Sequence, residues 1–93
     1  MDQEKIGNFI AQRRKDKKLT QAKLASYLGI SDRTISKWER GKGLPDPMYM
    51  LELCQILDIS VNELLTGEFI EERNYQQKAE DNLLMMANQE VKQ

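Results

Sequence analysis

The sequence predicts an all-α fold, a compact bundle of five short helices, and three observations carry the prediction. Apolar residues recur at i, i+3 and i+4 along most of the chain, no alternating β-branched run suggests a strand, and proline is confined to Pro45 and Pro47. The 93 residues suffice for one core with little margin, because a domain of this size buries only about two thirds of the surface its unfolded chain exposes.

Ile6, Phe9 and Ile10 give the stripe of a first helix, which stops in the polar stretch Lys15 to Lys18. Thr20 is a suitable N-cap for a second helix that turns Leu24, Ala25 and Leu28 inward, and Gly29 can take the positive φ needed at its end. Ser31 caps a third helix with Ile35 and Trp38 as its apolar positions, and Gly41 ends it. Asp46 as N-cap and Pro47 at the first helical position announce a fourth helix, striped by Tyr49, Leu53, Ile56 and Leu57. Ser60 to Glu63 fits the S-x-x-E capping box, so Val61, Leu64 and Leu65 fall in a fifth helix that Gly67 terminates.

Residues 1–67 therefore form one unit, and residues 68–93 change character. They are acidic and amide-rich, with Tyr75, Ala79, Leu83, Met86 and Ala87 at helical spacing. A helix packed on a partner as a dimerisation segment, a helix docked on its own domain, a frayed tail and a linker to a further region are all compatible with that pattern.

Composition removes several function classes. The chain has no histidine and one cysteine, Cys54, so the usual zinc constellations, a disulfide framework and histidine-based nucleophile pairs cannot be assembled. Cys54 lies in an apolar helical stretch and reads as a small buried hydrophobe. No catalytic residue, metal site or cofactor is expected. Met1 to Lys5 is charged and polar, unlike a signal peptide, and no stretch is long enough to span a membrane, so a cytoplasmic protein without membrane contact is expected. The net charge of −1 conceals a division: residues 1–43 hold eleven Lys/Arg against five acids, a net +6, and residues 44–93 hold three against ten, a net −7. Such asymmetry points to a polyanion-facing surface on the basic side, although a solvated basic face without a partner has the same composition.

Between the second and third helices only about four residues are available, which matches the tight turn of a helix-turn-helix. Ala25 is small where the helices cross, Gly29 takes the turn, and Ile30 and Ile35 fill the space between them. In this spacing the segment Gln21 to Gly41 closely resembles the phage-repressor-like (XRE) helix-turn-helix family, and the five-helix layout over about residues 4–67 resembles that family's domain. The resemblance implies a DNA-binding transcriptional regulator, repressor before activator, bound as a homodimer to a palindromic double-stranded operator.

The third helix can also be read by advancing about 100° per residue. With Ile35 at 0°, Trp38 falls near −60° and Glu39 near +40°, while Arg33, Lys37 and Arg40 cluster on the opposite side, near 140° to 200°. One face is core and the other is basic. A helix fits the major groove, and exposed residues near its N-terminal end can reach base edges: Arg33 can pair with guanine O6 and N7, and Lys37 can donate to guanine or to a phosphate. Resemblance to the family places Asp32, Arg33, Thr34 and Lys37 at base-facing positions. Asp32 has a second reading, since a carboxylate at a helix start is favoured by the macrodipole whether or not it accepts from cytosine N4. Gln21, at the start of the second helix, corresponds to a family glutamine set against the DNA backbone, and Ser31, Arg40 and Lys42 are expected to join it as phosphate contacts. Gly41-Lys42-Gly43 is too short for a nucleotide-binding P-loop.

Glu39, on the core side, needs a partner because an unpaired buried carboxylate is costly. Arg14 resembles the family arginine that pairs there, and Arg13 is the local competitor. Against the DNA-binding reading stands a protein-interaction module, such as an antitoxin-like or tethered regulator in which the acidic tail matters most. An enzyme ranks third.

Overall fold

The computed structural model describes residues 1–70. These form five helices, α1 (Gln3–Asp16), α2 (Gln21–Leu28), α3 (Asp32–Glu39), α4 (Pro47–Leu57) and α5 (Val61–Thr66), with no strand among the described residues. Tyr75 to Ala87, with the tail's expected helix and its dimerisation or linker roles, lie outside the described residues.

Local chemistry sets the helix ends. The Asp2 carboxylate accepts from the Lys5 N–H at the start of α1, and the Thr20 hydroxyl accepts from the Lys23 N–H at 3.0 Å at the start of α2. Gly29, with φ of 70°, closes α2, and the Ile30 N–H bonds back to the Ala25 carbonyl. Both arms of the capping box form in α5: the Glu63 N–H donates to Ser60 Oγ, and the Ser60 N–H donates to Glu63 Oε1 at 2.8 Å. Asp46 precedes α4 in extended conformation and accepts the Tyr49 N–H through its carbonyl at 2.9 Å, with no side-chain capping bond. The helix ends on Asp58 in the left-handed region, at φ of 55°, and Ile59 then turns into the core. Aspartate tolerates this conformation better than most residues.

The core joins Ile6 and Ile10 of α1, Leu24 and Leu28 of α2, Ile35 and Trp38 of α3, Leu53 and Leu57 of α4, and Leu64 of α5. Helix α1 lies across α3 and α5, α2 packs on α3, and α4 fills the remaining side against α5. After Gly67 the chain still packs on α1. Glu68 pairs with Lys5 at 3.0 Å, and the Phe69 ring meets Phe9 edge-on at 5.4 Å with the Arg13 guanidinium 4.9 Å from its centroid. The buried Glu63 also accepts the Ile70 N–H through Oε2. Residues 68–70 are thus seated on the domain, three residues past the compositional boundary at 67.

Cys54 is buried, and desolvation, followed by the charge of Glu63, raises its thiol pKa. The unfolded thiol therefore loses its proton first as pH rises. Stability is expected to fall as pH climbs through the ordinary thiol range, and a Cys54→Ala variant melted over the same pH series should lack that decline. Native Cys54 should also alkylate far more slowly than the unfolded chain.

Candidate nucleic-acid interface

The α2–turn–α3 unit is held by packing on one side and left open on the other. Ala25 is buried at the crossing, Ile30 is half-buried in the turn, and Ile35 and Trp38 seat α3 on the core, with the Trp38 ring 6.3 Å from that of Tyr49. On the opposite face Asp32, Arg33, Lys37 and Arg40 are exposed. Arg33, Lys37, Arg40 and the neighbouring Lys42 form no ion pair among the described residues, whereas Lys5, Arg13, Arg14 and Lys17 all do. Lys15, Lys18 and Lys23 are likewise without an ion pair, so of the seven such Lys/Arg among the described residues four, Arg33, Lys37, Arg40 and Lys42, lie on α3 and the loop after it.

The remaining expected contacts differ in how free they are. Thr34 is half-buried, and its hydroxyl shares a hydrogen bond with the Ser31 hydroxyl at 3.1 Å, so both belong to the cap of α3. Arg40 folds back along its helix, with Nε donating to the Ser36 carbonyl. The Lys37 methylenes run beside Gly43, where a Cβ would come within 3.3 Å of Lys37 Cε, so Lys37 lies towards the loop that carries Lys42. Arg33 stands clear of these contacts near the start of α3.

Glu39 anchors the other end of α3. Its carboxylate accepts from Arg14 Nε at 2.7 Å and Nη2 at 3.0 Å, and from Gln21 Nε2 at 2.9 Å. Arg14 Nη1 donates onward to the Leu19 carbonyl at 2.8 Å, just before α2 begins. The hydrogen-bonded Glu39 raises the Arg14 pKa above its ordinary value despite burial, so the guanidinium stays charged at any working pH. Arg13 points elsewhere, with two nitrogens on the Leu57 carbonyl at the end of α4.

Gly7 was not among the expected site residues. A Cβ there would lie 2.3 Å from the Trp38 carbonyl oxygen and 2.7 Å from that of Glu39, so α1 crosses the end of α3 backbone to backbone. Its signal is a glycine inside an amphipathic helix, where it costs about 1 kcal/mol relative to alanine and so asks for a packing reason. Among the described residues no group of Cys, Asp and Glu can hold a metal ion, and no helix is long and apolar enough to cross a membrane.

Comparison with known proteins matches this arrangement. The helix-turn-helix family model matches residues 10–64. The HTH-type transcriptional activator BcrR of Enterococcus faecalis is 41% identical over 59 residues, covering 63% of this chain and 29% of that protein. Repressor protein C2 of Salmonella phage P22 is 37% identical over 68 residues, 73% of this chain and 32% of that one. The crystal structure of the P22 c2 repressor with a synthetic operator superposes with a TM-score of 0.65 at 38% identity, over 68% of this chain and 96% of that chain. The chain thus spans about a third of the length of these two curated relatives. With the family model matched across α2, the turn and α3, and with a phage repressor domain of the same shape, the chain belongs to the phage-repressor-like helix-turn-helix family.

Proposed function

We propose that this chain binds double-stranded DNA sequence-specifically as part of a cytoplasmic transcriptional regulator, with α3 in the major groove. The observation that carries the reading is the outward face of α3, where unpaired cations stand on a helix whose other face is locked by Ile35, Trp38 and Glu39. Arg33 leads base reading with Asp32, Thr34 and Lys37 beside it, while Gln21, Ser31, Arg40 and Lys42 hold phosphates. The operator complex of the related P22 repressor supports this mode. Repression is the favoured sign of regulation, although the relatives include one named activator. Binding as a two-fold homodimer would set the two α3 helices about 34 Å apart, on a palindromic site.

The test is equilibrium binding to random duplex DNA over a salt series, followed by selection of a preferred site from a random pool. Affinity should fall steeply with salt through counterion release, and the selected site should be palindromic. Salt-insensitive or absent binding would contradict the proposal. The protein-interaction reading has one observation in its favour, the exposed Met48 and Leu51 on α4, and it predicts no such slope.

Single substitutions separate the charged phosphate contact from the neutral one. Lys42→Ala should weaken all DNA sequences about equally and lower the salt slope by roughly one unit, whereas the neutral Gln21→Ala should weaken operator binding without changing the slope. Affinities on the selected site and on random DNA at several salt concentrations check both.

A further inference from the structure

Three helices meet on the Glu39 carboxylate. Arg14 reaches it from the last turn of α1, Gln21 from the first residue of α2, and Glu39 itself closes α3. The Glu39 side chain is 7% exposed and Arg14 11%, so the cluster is shielded from bulk water. An ionised carboxylate offers acceptors only, so the Gln21 amide can face it only with its NH2 end. Nε2 bears a second N–H, for which the described residues supply no hydrogen-bond partner.

From this geometry we infer that Glu39 is a positioning residue for DNA: it fixes the Gln21 amide, so that the phosphate contact made by Gln21 sets the register of α3 on the bases. The inference rests on the DNA-binding reading above. An unrestrained glutamine must freeze its rotamers and choose one of two amide orientations when it binds. Gln21 has made that choice before DNA arrives, and its second N–H suits a phosphate oxygen, which only accepts. Because the hydrogen bond that orients the amide ends on α3 itself, the backbone contact and the reading helix form one rigid gauge. Arg14 completes it by neutralising the carboxylate, which would otherwise repel the phosphate.

The test is a double-mutant cycle in the full chain, with Gln21→Ala, Glu39→Gln and both together. Affinities are measured on the pool-selected operator, on the operator with one base pair exchanged, and on random duplex. Glu39→Gln can turn its amide either way and no longer dictates the orientation of Gln21. It should cost about tenfold on the operator, the scale of one charge-assisted hydrogen bond, with much less loss on random DNA. In the Gln21→Ala background the same change should add no further loss. Additive losses, or equal losses on operator and random DNA, would assign Glu39 to packing alone and overturn the inference.

Glu39→Gln also weakens the Arg14 pair and can cost folding, so a second measurement uses the unaltered chain. Side-chain nitrogen–proton resonances of Gln21 and Arg33 are followed as operator duplex is added, and one Gln21 N–H should shift together with Arg33 Nε. Movement of Arg33 alone would overturn the inference and leave base reading by α3 intact. If neither moves, the DNA-binding reading fails and the inference falls with it.

Discussion

Glu39→Ala is expected to destabilise the domain by about 3 kcal/mol, because it strands a buried guanidinium rather than merely deleting an attraction. In the structure Arg14 gives Glu39 two hydrogen bonds, and Gln21 gives a third. Removal of the carboxylate leaves Arg14 with the Leu19 carbonyl and a charge without a counterion. Glu52→Ala, at an exposed position on α4, should stay within about 0.5 kcal/mol of the parent. At roughly 4 to 8 °C per kcal/mol for a domain of this size, thermal melting separates the two variants easily. The double replacement Arg14→Met with Glu39→Leu should cost less than Glu39→Ala alone, since a buried pair is often exchanged for apolar side chains at small net cost. Equal melting of Glu39→Ala and Glu52→Ala would mean that the pair contributes nothing to holding α3.

Gly7→Ala is expected to cost about 2 kcal/mol or more. Alanine gains about 1 kcal/mol in helix propensity, which by itself would stabilise α1. Against that stands a methyl group placed 2.3 Å and 2.7 Å from two backbone carbonyl oxygens at the end of α3, where no flexible side chain can swing aside. Helix α1 must move off α3, an overpacking penalty of roughly 3 kcal/mol, and the clash outweighs the propensity gain. Gly43→Ala is the control, because its new methyl meets only the pliable end of Lys37 at 3.3 Å. Melting should fall by on the order of 10 °C for Gly7→Ala and by little for Gly43→Ala. A Gly7→Ala protein as stable as the parent would show that the α1–α3 crossing is looser than described.

What the sequence made legible follows the range of the interactions. The Ser60 and Glu63 capping box spans three residues, and Gly29 and Gly67 mark helix ends by a local backbone requirement, so each could be read directly. The five-helix order was legible for the same reason. Arg14 and Glu39 lie 25 residues apart. Helical spacing alone showed that Glu39 needs a partner, but the choice of Arg14 over Arg13 came from the family resemblance. The need for Gly7 arises only when α1 crosses α3, a tertiary fact without a local signature beyond a glycine inside a helix. Asp58 ends α4 where a glycine would have been the plainer signal. Phe69 was hidden because it follows a terminating glycine and shares its composition with the acidic tail, although its ring seats on Phe9 and Arg13. In the interface, exposure followed from helical phase, whereas the inward turn of Gln21 and the lean of Lys37 towards Gly43 depend on neighbours from other elements.

Parallel pool selections with the parent, Arg33→Ala and Lys42→Ala test whether α3 reads bases while the flanking residues hold the backbone. Arg33 stands exposed near the start of α3, and Lys42 lies in the loop beyond its end. Arg33→Ala should lose on the order of 1 to 3 kcal/mol on the parent's site and select sites relaxed at one or two base pairs. Lys42→Ala should select the same site as the parent with weaker binding throughout. An unchanged preference for Arg33→Ala together with an altered one for Lys42→Ala would contradict the assignment of α3 as the reading element.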